Sequence, residues 1–241
     1  MLDNKPRTVA IVLSGGRGSR MGSNIPKQYM EINGYPLIYY SLKVFQDSFI
    51  DEIVLVCGSG DVEYCKRKIV EKYDFTKVSK IVTGGKERYH SVANGLNAID
   101  TCDVVFIHDG ARPLITDDIL KNALEETLKH KATVVAVPAK DTIKISDDRG
   151  FAKETPNRNN VWIMQTPQTF IYNDIRDAYN KLLESEDDIK KRGIAITDDA
   201  MVMEFFGNSN VKFVMGSYSN IKVTTPEDVV IVSAMLDNNC N

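Results

Sequence analysis

Three histidines and four cysteines are the whole stock of imidazole and thiol metal ligands in this chain of 241 residues. Cys57, Cys65, Cys102 and Cys240 form no C-x-x-C pair and have no histidine at metal-ligand spacing, so they read as free, mostly buried thiols in a reducing compartment. No Ser-His-Asp or Cys-His constellation is available, and His90, His108 and His130 need no catalytic role. No uninterrupted apolar run approaches the roughly 20 residues of a membrane span. The first residues, Met1 to Arg7, lack the apolar centre of a signal peptide, and the expectation is a soluble cytoplasmic protein. An excess of one charge is missing too: 30 basic against 33 acidic residues leave a net charge of −3. Such a surface is no nucleic-acid footprint, so any cationic site is local.

What is present starts with Val9-Ala10-Ile11-Val12-Leu13, which reads as a buried first strand. It runs into Gly15-Gly16-Arg17-Gly18-Ser19-Arg20-Met21-Gly22 and then Pro26-Lys27-Gln28. Glycines let backbone N–H groups approach phosphate oxygens, and Arg17, Arg20 and Lys27 supply neutralising charge. Pro26 restricts Ile25 to extended backbone, so no helix runs straight from Gly18 past it and the loop is long enough to wrap a triphosphate. Other readings fit less well. No Gly-Lys-Ser/Thr closes the segment, which excludes a P-loop. Gly16-x-Gly18-x-x-x-Gly22 resembles a dinucleotide fingerprint, but that motif needs a helix directly after the loop, and Pro26 and the basic residues argue against it. Tyr64-x-x-x-Lys68 and Tyr73-x-x-x-Lys77 have a dehydrogenase-like spacing in or beside a charged helical stretch and read as chance. An ordinary strand–turn–helix with surface arginines is the bland alternative.

Beyond the loop, apolar strands alternate with amphipathic helices. Strands are expected at Glu52–Cys57, Lys80–Thr83, Val104–Ile107 and Thr133–Val137, and helices over 36–47, 61–73, through Val92, Leu96 and Ile99, and over 116–130. The alternation predicts one α/β domain over 1–241, a mostly parallel, doubly wound, Rossmann-like sheet. Ligands in such sheets sit at the carboxyl ends of the strands. The glycine-rich loop, Gly84-Gly85 and His108-Asp109-Gly110-Ala111-Arg112-Pro113 all follow strands and are expected to converge there. After Pro138 the pattern breaks. Asp141 to Ser146 alternates, Asp147-Asp148-Arg149-Gly150 signals a turn, and Phe151 to Thr155 can return antiparallel. This hairpin is too polar to cover a core of its own, and a protruding β-arm at about 139–170, exchanged in a homodimer, is the expectation; a solvated hairpin or lid is the alternative.

The ordered series Arg20-Met21, Pro26-Lys27-Gln28-Tyr29, Gly84-Gly85-x-x-Arg88-x-x-Ser91-Val92, His108 to Pro113, Asp141-Thr142-Ile143-Lys144, Arg158, Gln165-Thr166-Pro167-Gln168, Thr197-Asp198-Asp199-Ala200 and Asn220 to Thr224 resembles one family. It is similar to the 2-C-methyl-D-erythritol 4-phosphate cytidylyltransferases of non-mevalonate isoprenoid synthesis, over roughly residues 8 to 236. The related ribitol-5-phosphate cytidylyltransferases share fold and nucleotide site but tend to carry His-Asp-Ala-Val-Arg-Pro and Ser-Asp-Ala, where this chain has Ala111 and Thr197-Asp198-Asp199-Ala200. The resemblance implies a nucleotide-diphospho-sugar transferase fold, CTP as substrate and Mg²⁺ or another divalent cation. In such a reaction a phosphate monoester oxygen, largely dianionic at pH 7, attacks the α-phosphate of CTP and expels pyrophosphate, with no general base needed.

Site roles follow from the resemblance. The backbone of Ser14, Gly15, Gly16 and Gly18 would cradle the triphosphate, with Arg20, Lys27 and Lys222 as electrostatic stabilisers of the transferring phosphate and leaving group. Gly85, Lys86 and Ser91 match positions lining the cytosine pocket, although Ser91 could simply sit in a first helical turn. Asp109 and Arg112 match residues around the substrate. Asp109 would meet a sugar hydroxyl, the metal or both, and an Asp109–Arg112 salt bridge is the structural alternative. Thr197 matches a threonine at the substrate phosphate, against helix capping by Thr197-Asp198-Asp199. Thr142, Arg158 and Thr166 match arm residues that bind substrate phosphate from the partner subunit, and Pro156 just before Arg158 is a local departure. A regulatory protein that has lost catalysis would lack cations, yet Arg20, Lys27, Arg112 and Lys222 are all present. A nicotinamide-dependent oxidoreductase is the third reading.

Overall fold

A computed structural model describes residues 5–16 and 26–238. The strand β1 (Thr8–Ser14) is apolar and mostly β-branched, and it lies in the middle of a seven-stranded sheet. Its alternate residues feed different layers. Val9 and Ile11 pack in one core with α3 (Arg88–Asn97), α5 (Tyr172–Glu184) and α7 (Asp199–Phe206). Ala10 and Val12 pack in the other with α1 (Leu37–Asp47), Cys65, Ile69 and α4 (Asp117–His130). Each fully buried aliphatic or aromatic side chain contributes about 1.5–3 kcal/mol, so two such layers bind the sheet firmly.

Parallel pairing throughout would suit the sequence alternation, but one strand runs against it. From edge to edge the order is β11 (Lys212–Met215), β7 (Ala132–Pro138), β10 (Trp162–Ile171), β6 (Val104–Asp109), β1, β4 (Glu52–Cys57) and β5 (Val78–Thr83). β10 is antiparallel to both neighbours, and all other pairings are parallel. The cause is the connection: β7 leads into an excursion with no α-helix, only a 3₁₀ turn at Arg158–Asn160, and without a crossover helix the returning strand is antiparallel. The excursion carries the short ribbon β8 (Ile145–Ser146) with β9 (Ala152–Glu154), the hairpin expected from the sequence. Because β10 belongs to the central sheet, the arm ends before Trp162 rather than at the expected 170.

Local chemistry explains most boundaries. The N-terminus of α4 is capped by Thr116, whose Oγ1 accepts from the Ile119 N–H, with Asp117 and Asp118 in the first turn. A two-residue hairpin, β2 (Glu31–Ile32) with β3 (Tyr35–Pro36), turns on Asn33 (φ 49°) and Gly34 (φ 83°), the pair a left-handed turn prefers. It packs with Leu37, Leu114, Val223 and Val232 of the closing helix α8 (Pro226–Asn238) in a third core. At the start of α8, Asp228 Oδ2 accepts from the Thr224 and Thr225 N–H groups, the acidic half of a capping box. The expected helix over 61–73 is shorter: α2 (Val62–Tyr64) continues as a π-helical stretch through Cys65–Val70. The short α6 (Glu186–Lys191) follows α5.

Candidate active site

Strand register brings the expected segments together. Ser14 pairs with Cys57, Leu13 with Asp109 and Cys57 with Thr83, so β1, β4, β5 and β6 all end at one edge of the sheet. Beside it lies a cleft of about 270 Å³ lined by Arg88, Asp109, Arg112, Thr166, Gln168, Thr197, Asp198 and Lys222, among others. Asp109, Arg112, Thr197 and Lys222 were expected there from the sequence; Thr166 was expected on the arm, Asp198 only as a helix-capping alternative, and Arg88 and Gln168 were not assigned a role.

Asp109, the last residue of β6, is the electrostatic centre. The Lys222 ammonium donates to its Oδ2 at 2.7 Å, and Arg88 Nε stands 3.5 Å from its Oδ1. Burial alone would push this carboxyl up, but Arg88, Lys222 and Arg112 outweigh it and hold the group well below the usual carboxylate range. Arg112 does not form the Asp109 salt bridge that the Asp-x-x-Arg spacing suggests. Its Nη1 and Nη2 donate to the carbonyls of Asn220 (2.7 Å) and Met164 (3.3 Å), which ties the 220–222 segment to β10. Gln165 strengthens that tie, donating to the Ser217 carbonyl while its Oε1 accepts from Asn220 Nδ2.

Thr166 belongs to this chain's own cleft, not to an arm. It sits in β10 where the register to β7 shifts, 3% exposed, and its Oγ1 accepts from the Asp109 N–H at 3.1 Å. His108 Nε2 faces the Arg112 carbonyl at 3.2 Å, which can only accept, so the ring proton is on Nε2 and Nδ1 takes the Thr166 hydroxyl proton at 3.0 Å. Thr166 therefore has no proton to offer a phosphate. Thr142 and Arg158, by contrast, lie exposed on the excursion and do not line the cleft; Arg158 Nη1 donates to the Lys140 carbonyl.

The start of α7 forms another part of the cleft lining. Asp198 is its N-cap, with Oδ1 accepting from the Met201 N–H at 2.9 Å. Gln168 clamps this turn to β10, donating to Asp198 Oδ2 and accepting from the Ala200 N–H. Capping thus falls to Asp198, leaving Thr197 at the mouth.

On the glycine-rich side, the described residues are Ser14, Gly15 and Gly16; Gly18 and Arg20 lie outside them. Lys27 opens a short 3₁₀ turn after Pro26, and its Nζ donates to the Val223 carbonyl at 2.9 Å, which brings it beside Lys222. At the end of β5, Gly84 and Gly85 press against α3. A Cβ on Gly85 would collide with His90, and Ser91 Oγ accepts from the Gly85 N–H at 3.0 Å. Ser91 thus sits in the first turn of α3 and also props the glycine turn, while Lys86 follows directly.

An open α/β sheet with a cation-lined cleft at its strand ends, one strongly ionised carboxylate and a glycine-rich loop defines an enzyme class that handles phosphorylated ligands. The chain belongs to the family described as 2-C-methyl-D-erythritol 4-phosphate cytidylyltransferase, whose pattern matches residues 8–238. It is 47% identical over 223 residues to the protein of that name from Clostridium kluyveri, covering 92% of this chain and 93% of that one. It is 45% identical over 237 residues to the one from Alkaliphilus oremlandii, covering 98% and 97%. The crystal structure of 4-diphosphocytidyl-2C-methyl-D-erythritol synthase from Anaerococcus prevotii superposes with a TM-score of 0.82 at 36% identity, covering 96% of each chain. Members of this family are CTP-dependent nucleotidyltransferases.

Proposed function

We propose that the cleft joins CTP to 2-C-methyl-D-erythritol 4-phosphate, giving 4-diphosphocytidyl-2-C-methyl-D-erythritol and pyrophosphate. The observation that carries this reading is a pair of lysines meeting on one segment: Lys222, in the cleft lining, is held by Asp109, and Lys27 is bonded to the carbonyl of the next residue, Val223. A phosphate monoester is mostly dianionic at neutral pH and needs no base to attack. The obstacle is bringing one anion onto another, and fixed cations at the reacting phosphate lower it. Lys222, Lys27 and, from the glycine-rich loop, Arg20 take that role, while Ser14, Gly15, Gly16 and Gly18 receive the triphosphate. Gly85, Lys86 and Ser91 face the base. Asp109 and Thr197 take the sugar alcohol, and Arg112 holds the Lys222 segment in place.

Mg²⁺ fits as a companion of the triphosphate rather than as a resident of a protein cage. No group of three or more metal-ligating acidic, histidine or cysteine side chains occurs among the described residues. Asp109 would be the protein carboxylate for an ion otherwise held by phosphate oxygens and water, where it would neutralise leaving-group charge.

The arm supports a homodimer. Ile143, Ile145 and Phe151 are exposed on it, the last to 67%, and such side chains usually rest on another surface. In an exchanged dimer Thr142 and Arg158 would reach the partner's substrate phosphate. Sedimentation equilibrium should give twice the chain mass; a monomer at micromolar concentration would remove this part of the reading. Among the described residues no helix is long and apolar enough to cross a membrane, in keeping with a cytoplasmic enzyme.

The reaction itself is tested by pyrophosphate release from CTP and Mg²⁺ with 2-C-methyl-D-erythritol 4-phosphate or ribitol 5-phosphate. Release with the first alone is expected. Release with ribitol 5-phosphate alone would overturn the substrate, and silence with both in protein that still binds CTP would favour a regulatory role.

A further inference from the structure

Arg88 opens α3, three residues after Gly85, and stands where four elements meet. Its Nη1 and Nη2 donate to the two oxygens of Asp199, each at 2.8 Å, and Asp199 has no exposed side-chain surface. Tyr179 of α5, itself buried, donates its hydroxyl to Asp199 Oδ1 at 2.6 Å. The remaining guanidinium nitrogen, Nε, turns to Asp109 Oδ1, while Lys222 holds Oδ2 of the same carboxylate. A line of contacts therefore runs from Tyr179 through Asp199, Arg88 and Asp109 to Lys222.

We propose that Arg88 is a positioning residue for the transfer: its fork, locked by Asp199, aims the Asp109 carboxylate at Lys222 and fixes the α7 turn that carries the cleft residues Thr197 and Asp198. The inference rests on the reaction proposed above. A purely structural role explains the pair poorly, since a buried ion pair adds little net stability over apolar residues of the same volume. What a planar, bidentate guanidinium supplies is direction. Burial alone would favour its neutral form, but Asp199 and Asp109 keep Arg88 charged. Asp109 is then held at three points: its N–H by Thr166 and its two oxygens by different cations. When a phosphate arrives, the compact Lys222 ammonium can exchange Asp109 for a phosphate oxygen while Arg88 keeps the carboxylate from following. A site organised in this way pays no reorganisation at the moment of reaction.

The test compares wild type, Arg88→Lys and the double variant Arg88→Gln/Asp199→Asn in the pyrophosphate assay, with circular dichroism and denaturant unfolding as checks on folding. Arg88→Lys keeps the charge and loses the fork; the double variant keeps a neutral hydrogen-bonded pair and removes the unpaired buried charge. Both are expected to lower kcat about tenfold or more, with KM for CTP within about twofold of wild type. A role limited to structure would be rescued in the double variant, so a folded double variant with wild-type kcat overturns the proposal. Should Arg88→Lys fold poorly, the double variant alone decides, and Tyr179→Phe, which leaves every charge in place, is expected to lower kcat less than either. A silent wild type would instead overturn the proposed reaction and leave the geometry to another substrate.

Discussion

Replacing Lys222 by alanine is expected to lower kcat/KM for pyrophosphate release by about a hundred- to a thousandfold, the range seen when one preorganised charge-stabilising donor is removed from an active site. The ammonium sits 2.7 Å from Asp109 and is 38% exposed at the cleft mouth, so it is both held and open to an incoming phosphate. Its loss acts twice. One cation disappears from the reacting phosphate, and Asp109 keeps its negative charge because Arg88 and Arg112 still face it. The cleft then repels the triphosphate it should receive. The fold should survive, since the ammonium is partly exposed and Arg88 still faces the Asp109 carboxylate. Lys222→Arg keeps the charge but spreads it over a planar group, and only part of the activity should return. Steady-state kinetics on the two variants, with unfolding curves alongside, decide the matter. An alanine variant within threefold of wild type would remove Lys222 from the proposed chemistry.

The sequence discloses the site unevenly, and the reasons are physical. Asp109 was legible because a charged residue closing an apolar strand in a parallel sheet has few places to point except the ligand edge. The layers were legible because apolar strands alternate with helices that show one apolar face, and the two cores on either side of β1 bear this out. β10 was not: Gln165, Thr166, Pro167 and Gln168 interrupt its apolar pattern, and three of them, Gln165, Thr166 and Gln168, line the cleft at the register shift. A strand that bends to serve a site loses the periodicity that would announce it. Arg88 and Asp199 were visible only as letters inside motifs. They are 111 positions apart, and no local spacing tells that both oxygens of one meet the fork of the other. The salt-bridge alternative for Arg112 fails for a related reason. Its nearest acid in sequence is Asp109, yet the strand-end geometry turns its guanidinium onto two carbonyls from distant segments.

His108 should make the protein lose stability as pH falls from about 6.5 to about 4. The side chain is fully buried, edge-on to Phe45, with both ring nitrogens occupied. Burial pushes its pKa down to about 4 against an ordinary value near 6.5, the pull of Asp109 being too weak to restore it. The sign follows directly. Between those values the unfolded chain binds a proton on this residue and the folded chain does not, so acid draws the equilibrium toward unfolding. The loss on reaching pH 4.5 is about 2.5 kcal/mol. Asp109 is held below the usual carboxylate range, so its own contribution is lost in more acidic solution and does not mimic this window. Denaturant unfolding of wild type and His108→Gln at pH 7.0 and 4.5 separates the histidine from the rest. The stability difference between the two proteins should shift by about 2.5 kcal/mol in favour of the glutamine variant at the lower pH; an unchanged difference would mean that His108 titrates alike folded and unfolded. The consequence reaches the chemistry. A neutral His108 keeps Nδ1 as an acceptor for the Thr166 hydroxyl, which leaves the Thr166 oxygen to receive the Asp109 N–H. Protonation would force that hydroxyl to turn and put a second cation beside Arg112, loosening the strand end on which Lys222 and Arg88 converge.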